Sequence, residues 1–213
     1  ITHPEINTQL KDQFAFRLGG STSAAIITLL EEVTRILETE NYARVLALDF
    51  SKAFDTINHA NLLKKFAELP IYDSLFNWIV NYFEKHSHRT KYQGKKSHAR
   101  QINCGVIQGS AIGPFAFSIA AMNLKAKHDG NKLVKFADDT YLIIPSKNLG
   151  TTDEELAHIQ SWAVTNNLRL NNLKSKEIIF QRKRLNHNAL PPIIPNIERC
   201  EKICILGVYF DIK

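Results

Sequence analysis

The feature that most constrains the fold of this chain is a pair of adjacent aspartates, Asp138 and Asp139, between two apolar runs. Residues 132–136 and 140–144 have the composition of short β-strands, so the pair is predicted to lie at the tip of a hairpin. Because side chains alternate along a strand, neighbouring acids can face one site only if the turn re-aims one of them. Two carboxylates at a tight turn concentrate negative charge, which a divalent cation would stabilise.

A third acid ends another strand-like run far upstream, where the apolar residues 45–48 are followed by Asp49. If the two predicted strands pair side by side, the carboxylates of Asp49 and Asp138 converge at one edge of a sheet. Oxygen ligands of this kind can hold two magnesium ions about 3.5–4 Å apart, the arrangement that phosphoryl transfer uses. The alternative is that these acids are ordinary turn residues, since Asp is common after strands.

Several segments, in chain order, resemble the motifs of reverse transcriptases, and specifically those of non-LTR (LINE-type) retrotransposons. The resemblance rests on residues 47–55 (ALDFSKAFD), 105–110 (GVIQGS) with 113–115 (GPF), 136–139 (FADD), 170–176 (LNNLKSK) and 206–208 (LGV), preceded by 13–17 (QFAFR) and 21–22 (ST). It implies an α+β fold, the right-hand polymerase palm, in which helices back an antiparallel sheet. It also implies partial fingers at residues 1–40 and a palm at 41–213, with a fingers-side insert of helices and a basic hairpin at about 58–104, and no thumb.

The same resemblance implies a catalytic centre. Asp49, Asp138 and Asp139 match the catalytic acids of the family. Asp49 and Asp138 would bind the metal ions together with the backbone carbonyl of Phe50, and Asp139 would be the supporting third acid. The implied cofactor is Mg²⁺, with Mn²⁺ as a substitute.

Five further residues would bind the incoming nucleotide according to the resemblance: Arg17, Phe54, Gln108, Gly109 and Lys174. Phe54 occupies the position of the family's sugar gate, where a ring would clash with a ribonucleotide 2′-OH. The amide of Gln108 offers a donor and an acceptor, and Gly109 allows close approach of the backbone to a ligand. Arg17 would hold the triphosphate, and Lys174 would protonate the leaving pyrophosphate. For each of them an ordinary role stays open, as a buried ring, a turn residue or a solvated charge.

The charge of the chain favours a polyanionic partner, since the formal net charge is +6. A basic run between residues 85 and 100 is predicted to contact the phosphate backbone of a nucleic acid. Its candidate residues are Arg89, Lys91, Lys95 and Lys96. Leu206 and Gly207 match the primer-grip element of the family. The alternative for the basic run is a solvated hairpin with Gly94 at its tip.

Taken together, these patterns predict a reverse transcriptase fragment, an RNA-directed DNA polymerase that adds dNTPs to a primer 3′-OH by two-metal phosphoryl transfer. Its expected partners are an RNA template, a DNA primer and dNTPs, together with missing fingers, thumb and endonuclease segments of a parent polyprotein. The second hypothesis is a truncated or decayed copy that binds nucleic acid without catalysis. The three cysteines are too few for a disulfide framework and indicate a reducing, intracellular compartment, with nucleus or cytoplasm left open. No apolar run is long enough to span a membrane.

Local patterns predict the remaining elements. Helices are expected at 22–39 with Ser21 or Thr22 as N-cap, at 58–68, at 72–85, at 114–128, and from a capping box at Thr152–Glu155 to about 166. Further strands are expected at 44–49, at 176–181 and on both sides of Gly207. This order is that of an α+β palm with helices on one face of the sheet.

Overall fold

The computed structural model describes residues 3–84, 86–107, 109–182 and 190–212. Over these residues the helices are α1 (Pro4–Gln9), α2 (Thr22–Thr39), α3 (Ala53–Thr56), α4 (His59–Ala67), α5 (Asp73–Phe83), α6 (Gly113–Ala120) and α7 (Thr152–Thr165), with a 3₁₀ helix at Ser146–Thr151. The strands are β1 (Tyr42–Leu48), β2 (Ser87–His88), β3 (Lys91–Tyr92), β4 (Lys95–Lys96), β5 (Arg100–Gln101), β6 (Lys132–Phe136), β7 (Asp139–Pro145), β8 (Lys176–Gln181), β9 (Glu198–Arg199), β10 (Lys202–Ile205) and β11 (Val208–Asp211). None of the helices in these ranges is both long and apolar enough to cross a bilayer.

The central sheet has five strands in the order β6-β7-β1-β8-β9. β1 lies in the middle and runs antiparallel to both β7 and β8, while β6 pairs antiparallel with β7. β8 and β9 form a short parallel pair at one edge. β10 and β11 form a separate hairpin, and the pairs β2–β5 and β3–β4 form an outer hairpin. The α+β palm and the predicted strands are therefore confirmed.

Both faces of the central sheet are covered, because successive side chains of β1 enter two different hydrophobic clusters. Ala43 and Val45 pack in one cluster with α2 and the β10–β11 hairpin. Leu46 and Leu48 pack in the other cluster with α4, α6 and α7. The expectation of helices on one face is wrong for α2, since its apolar stripe buries itself against the face opposite to the other helices.

The helix predicted at 22–39 is confirmed as α2, and its N-cap is Ser21. The hydroxyl of Ser21 accepts a hydrogen bond from the amide of Ala24 at 3.0 Å. The buried positions of the helix recur at helical spacing and are Ala25, Leu29, Val33 and Ile36. The helices predicted at 58–68 and 72–85 are confirmed as α4 and α5.

The helix predicted at 114–128 is shorter than expected, because α6 ends at Ala120. A buried lysine from β6 binds the carbonyl groups just beyond this end. The ammonium group of Lys135 donates to the carbonyls of Ala121 at 2.9 Å and Leu124 at 2.8 Å. A cation near a helix C-terminus stabilises carbonyls that lack a partner in the helix, so the chain can turn there.

The capping box predicted at the start of α7 is wrong, although the helix itself is confirmed. Thr151 occupies the N-cap position, and its side chain makes no capping hydrogen bond. Thr152 already lies inside the helix. The carboxylate of Glu155 is buried and accepts instead from the amides of Lys127 at 3.0 Å and His128 at 2.8 Å. The Glu155 carboxylate, which would accept a hydrogen bond at the helix start in a capping box, therefore binds a distant loop instead.

A buried ion cluster joins β1, β8 and β9. Nε of Arg44 lies 2.6 Å from one carboxylate oxygen of Glu177, and Nε of Arg199 lies 2.6 Å from the other. Arg44 also donates to the hydroxyl of Thr152 at 2.9 Å and to the carbonyl of Pro192 at 2.7 Å. Burial lowers the pKa of Arg44, and the charge of Glu177 opposes this shift. The cluster holds the β1–β8 pairing at the end of the sheet where β1 begins.

We expect Glu177→Gln to lower the free energy of unfolding by about 3–5 kcal/mol, because it leaves the Arg44 guanidinium buried without a counter-charge. Urea denaturation followed by circular dichroism measures the change. Glu32→Gln is the matched control, since the Glu32–Arg35 pair at 2.6 Å lies on the outer side of α2 and should contribute less than about 1 kcal/mol. Equal losses in the two variants would contradict the assignment.

Candidate active site

The two adjacent aspartates lie at a two-residue turn, as the sequence predicted. Phe136 pairs with Asp139, which leaves Ala137 and Asp138 as the loop residues between β6 and β7. Ala137 has a φ of 55°, and the first loop residue of the favoured hairpin turns has a positive φ. Asp138 therefore lies in the turn while Asp139 begins β7, and the turn re-aims one of the two acids. Asp138 is half-buried and Asp139 is exposed.

β1 brings the third acid to the same end of the sheet. Leu48 is the last residue of β1 and pairs with Thr140 of β7. Asp49 and Asp139 each lie one position further towards the hairpin turn. Alternation places both of them on the face that packs against α2 and the β10–β11 hairpin. The structure thus brings the three acids together, while their chemical roles stay a prediction.

Hydrogen bonds from the α7–β8 connection fix the residues that follow β1. The amide of Asp49 donates to the hydroxyl of Ser175 at 3.1 Å, and the amide of Asn171 donates to the carbonyl of Asp49 at 2.8 Å. Phe50 forms an isolated antiparallel bridge with Leu170. In this bridge the neighbouring residues make the hydrogen bonds, so the carbonyl of Phe50 points away from Leu170, towards the side of the hairpin. This orientation agrees with its predicted role as an oxygen ligand.

The carboxylates of the site disfavour one another's charge. Burial raises the pKa of Asp138, and the charge of Asp49 raises it further. Burial also raises the pKa of Asp139, and the charges of Asp138 and Asp49 add to that effect. Like charges near one another in a partly buried site disfavour the ionised form. The acids are therefore close enough to interact electrostatically.

The fit of these residues to a divalent cation follows from their donor chemistry. Within the described residues, no three His, Cys, Asp or Glu side chains form a group that could hold a metal ion. The predicted donor set is different in kind, with the carboxylates of Asp49 and Asp138 and the carbonyl of Phe50. Mg²⁺ is usually bound by one or two carboxylates together with substrate phosphates and water. A cation would also relieve the repulsion that adds to the effect of burial on the pKa values of Asp138 and Asp139, so the residues fit such an ion.

Phe54 lies in α3, where its ring stacks on Phe117 of α6 with centroids 4.3 Å apart and an angle of 19° between the planes. The ring is partly buried. The amide of Val106 donates to the carbonyl of Phe54 at 2.8 Å, which joins α3 to the 105–110 segment. Gly105 has a φ of 82°, and a Cβ there would come within 2.8 Å of the carbonyl oxygen of Asp55. A glycine is therefore required for this close approach.

The other residues predicted to bind nucleotide have no shared contacts among the described residues. The guanidinium of Arg17 donates to the carbonyl of Leu10 at 3.0 Å. Lys174 is exposed in the connection between α7 and β8, and Gly109 is exposed with a φ of 83°. Gln108 lies outside the described residues. The nucleotide-binding roles of all these residues stay predictions.

The basic run forms the predicted hairpin, with Gln93 and Gly94 at its tip in the positive-φ region. It pairs only within itself among the described strands and is separate from the central sheet. Its predicted nucleic-acid-binding residues are all exposed: Arg89, Lys91, Lys95 and Lys96. The predicted shape is confirmed, and the binding role stays a prediction.

The predicted primer-grip residues form the turn of the β10–β11 hairpin. Leu206 and Gly207 have φ values of 48° and 85°, the two positive values of a type I′ turn. The amide of Leu206 hydrogen-bonds to the hydroxyl of Tyr141, while burial and the nearby carboxylates raise the pKa of that hydroxyl. Tyr141 is two residues after Asp139 on β7. The turn is therefore attached to the strand that carries one of the acids.

Two buried polar residues, which lie in segments that resemble the motifs of the family, contribute to the site through contacts that no local pattern predicts. Ser175 accepts from the amide of Asp49, and the side chain of Gln13 binds the backbone of Ala137. The side chains of Ser175 and Gln13 are both completely buried. Their partners lie 126 and 124 positions away, respectively, so short-range patterns cannot identify them.

The sequence matches the family model for reverse transcriptase (RNA-dependent DNA polymerase) over residues 1–210. The chain belongs to the reverse transcriptase family. Similar curated proteins include the RNA-directed DNA polymerases from mobile element jockey of Drosophila melanogaster, 28% identical over 184 residues, and of Drosophila funebris, 30% identical over 192 residues. These matches cover 81% and 84% of this chain but only 20% and 21% of the two relatives. The predicted resemblance to non-LTR reverse transcriptases is confirmed.

Solved structures with the same fold include two yeast telomerases. The Candida albicans telomerase in complex with a fragment of telomeric RNA has a TM-score of 0.64 and 14% identity, covering 96% of this chain and 34% of that one. The apo Candida tropicalis telomerase has a TM-score of 0.63 and 12% identity, covering 97% and 38%. At these identities the likeness shows the fold, and it supports the α+β palm of this chain.

The raised pKa of Asp138 gives a testable dependence of stability on pH. The folded protein holds the proton of this carboxyl more tightly than the unfolded chain, whose Asp pKa is about 3.9. Ionisation therefore lowers the free energy of unfolding as the pH rises from that value through the folded-state pKa. Asp138→Asn should stabilise the metal-free protein at pH 7 and lose this advantage below about pH 4.

Denaturant titrations in the presence of a chelator at both pH values measure this effect. The matched control is Asp129→Asn, because Asp129 is exposed. Adding Mg²⁺ at pH 7 should reverse the order of stability, since the wild type then gains a ligand that the variant binds less well. A destabilised Asp138→Asn protein at pH 7 without divalent ions would contradict the electrostatic account.

Proposed function

We propose that this chain forms the catalytic palm of an RNA-directed DNA polymerase, which adds dNTPs to a primer 3′-OH along an RNA template. The observation that carries the proposal is the meeting of Asp49 with Asp138 and Asp139 at one end of the β1–β7 pair, in a member of the reverse transcriptase family. The reaction class is nucleotidyl transfer, in which the primer hydroxyl attacks the α-phosphate and pyrophosphate leaves.

Divalent metal ions are used by the family, and we assign the cofactor here as Mg²⁺, with Mn²⁺ as a substitute. The carboxylates of Asp49 and Asp138 and the carbonyl of Phe50 would hold it. When bound, the ions supply Lewis-acid stabilisation for the attacking and leaving oxygens. Asp139 begins β7 beside this donor set and adds negative charge that strengthens the attraction for a cation.

Selection of the sugar is assigned to Phe54. Its ring is stacked on Phe117, and the backbone carbonyl of Phe54 accepts from the amide of Val106, so the ring and the backbone that carries it are both held. A fixed ring can exclude a 2′-OH more effectively than a mobile one, because a mobile ring could move aside without loss of packing. Gln108 and Gly109, which follow Val106 in sequence, would contact the base pair formed by nucleotide and template.

Two basic residues are assigned to the phosphates of the nucleotide. Arg17 would hold the triphosphate through Nη2, because Nη1 donates to the carbonyl of Leu10 and Nε is buried. Lys174 is exposed and follows Asn171, which is bonded to the backbone of Asp49. From this connection Lys174 would donate a proton to the leaving pyrophosphate.

The nucleic acid is assigned to two hairpins. The exposed basic residues of the outer hairpin, namely Arg89, Lys91, Lys95 and Lys96, would bind phosphates in a salt-dependent and sequence-independent way. The turn at Leu206 and Gly207 would bind the primer end, and its attachment to Tyr141 supports this placement relative to the acids. The division into partial fingers at 1–40 and palm at 41–213 stays a part of this proposal.

The decisive experiment is primer extension on an RNA template with Mg²⁺ and dNTPs. We expect Asp138→Asn to reduce the extension rate by about 10³-fold or more, because the variant keeps the shape of the side chain and removes its charge. Binding of RNA–DNA duplex should change little, since the phosphate contacts are assigned to the outer hairpin. Extension at the wild-type rate would show that the catalytic assignment is wrong.

The exposed basic hairpin also favours a second candidate function, a nucleic-acid-binding module without catalysis. That candidate predicts binding of RNA–DNA duplex that weakens steeply with salt, and no extension by the wild type at high dNTP concentration. The same experiment therefore distinguishes the two candidates. Extension by the wild type and not by Asp138→Asn supports the polymerase.

The assignment of Phe54 predicts a change in sugar selectivity. Phe54→Ala should raise the incorporation of ribonucleotides relative to deoxyribonucleotides by about 10-fold or more, because the clash with the 2′-OH is removed. The matched control is Phe115→Ala on α6, whose ring packs edge-on against Phe66 at 5.8 Å and is likewise partly buried against the core. Single-nucleotide incorporation kinetics measure both ratios. An unchanged ratio in Phe54→Ala would refute the gate.

A further inference from the structure

A buried glutamine binds the turn that carries Asp138. The carboxamide oxygen of Gln13 accepts from the amide of Ala137 at 2.9 Å and from the amide of Ala15 at 3.0 Å. Its carboxamide nitrogen donates to the carbonyl of Ala137 at 3.2 Å. Gln13 is completely buried. One side chain thus binds both backbone groups of the residue that precedes Asp138.

The backbone around Gln13 extends this contact along β6. The amide of Phe14 donates to the carbonyl of Lys135 at 2.7 Å, and the amide of Lys135 donates to the carbonyl of Asp12 at 2.7 Å. Gln13 and Lys135 form a parallel bridge. Ala137 lies in the turn beyond the end of β6. There the side-chain amide of Gln13 makes the two hydrogen bonds that a backbone peptide group would make in a continued strand pair.

The residue that is held has an unfavourable backbone conformation. Ala137 has a φ of 55°, a region that residues other than glycine seldom adopt and that the surrounding structure has to impose. The amide and the carbonyl of Ala137 are both bound to Gln13, so neither group can stabilise another conformation. A relaxation of Ala137 would rotate the chain directly before Asp138 and displace its carboxylate.

We propose that Gln13 is a positioning residue for Asp138, acting through the backbone of Ala137. Gln13 does not touch the reacting groups, and its effect rests on the polymerase function proposed above. Its carboxamide keeps the hairpin turn in the conformation that places the carboxylate of Asp138 beside Asp49. The segment before α2 thereby becomes part of the catalytic arrangement.

Gln13→Met tests the proposal, because methionine has a similar length and cannot form the three hydrogen bonds. We expect kcat for primer extension to fall by about 10- to 100-fold, with a much smaller change in the KM for dNTP. A merely structural role would lower the melting temperature and leave kcat per folded molecule unchanged. If Gln13→Met does not fold, Gln13→Glu takes its place, since it keeps the acceptor oxygen and removes the donor to the Ala137 carbonyl.

Asn131→Leu is the matched control. Asn131 is a buried amide at the opposite end of β6, where it donates to the hydroxyl of Thr151 at 3.0 Å and to the carboxylate of Glu155 at 2.9 Å. Its replacement removes comparable buried hydrogen bonds without contact to the turn. We expect Asn131→Leu to lose stability and to keep the kcat of the wild type.

The second measurement does not depend on activity. Binding of Mn²⁺ to the free protein, followed by electron paramagnetic resonance, should weaken by about 10-fold or more in Gln13→Met, as for residues that orient metal ligands. Asn131→Leu should stay within about twofold of the wild type. Wild-type kcat and wild-type Mn²⁺ affinity in Gln13→Met would overturn the positioning role.

Asp138→Asn separates failure of this inference from failure of the proposed function. If Asp138→Asn is inactive and Gln13→Met behaves like the wild type, the inference is wrong and the polymerase function stands. If the wild type and Asp138→Asn extend primers alike, or neither extends them, the proposed function is wrong for this chain. The Mn²⁺ affinities then still decide whether Gln13 orients Asp138.

A double-mutant cycle tests the physical cause. In an Ala137→Gly background the positive φ is no longer unfavourable, since glycine adopts it readily. The loss of kcat caused by Gln13→Met should therefore be smaller in that background than in the wild type. Equal losses in the two backgrounds would contradict a role through the conformation of Ala137.

Discussion

The position of every acid in the site depends on the register between β1 and β7. Leu48 pairs with Thr140, and this pairing brings Asp49 beside the hairpin turn. Because side chains alternate with a period of two, a slip of one residue would turn Asp49 to the opposite face of the sheet. Packing prevents the slip, since Val45 belongs to the cluster with α2 and Leu46 to the cluster with α4, α6 and α7. The positions of the acids are therefore determined by the two hydrophobic clusters that fix the register of β1, and not by interactions among the acids.

The two ends of β1 treat charge in opposite ways. At the end where β1 begins, the buried guanidinium of Arg44 lies against Glu177, so opposite charges compensate each other. At the end where β1 stops, Asp49 lies near Asp138 and Asp139, and burial together with like charges raises the pKa values of both hairpin acids. Buried or half-buried charge without compensation is unfavourable in a metal-free protein. This asymmetry supports the proposal that a cation would be bound at the second end.

The elements that local sequence predicts are those whose hydrogen bonds and burial are local. The apolar spacing in α2 and the two runs beside Asp138 and Asp139 were sufficient to predict a helix and a hairpin. The errors arise where a distant residue takes over a local role. Lys135 binds the carbonyls beyond α6, so this helix stops early, and the carboxylate of Glu155 binds a loop rather than capping α7. The site follows the same rule, since the acids were predictable from their strands, whereas the contact of Gln13 with the turn joins residues 124 positions apart.

The residues around Gln13 stabilise the edge strand and the turn that carry Asp138. β6 is the outermost strand of the sheet and carries the turn with Asp138. Without further contacts, the edge of such a strand could pair with other chains, and its turn could open locally. The residues around Gln13 cover this edge with two backbone hydrogen bonds and bind Ala137 with the side chain. One segment therefore protects the edge and orders the turn. A change in that segment can therefore reach the acids through the hydrogen bonds along β6 and at Ala137.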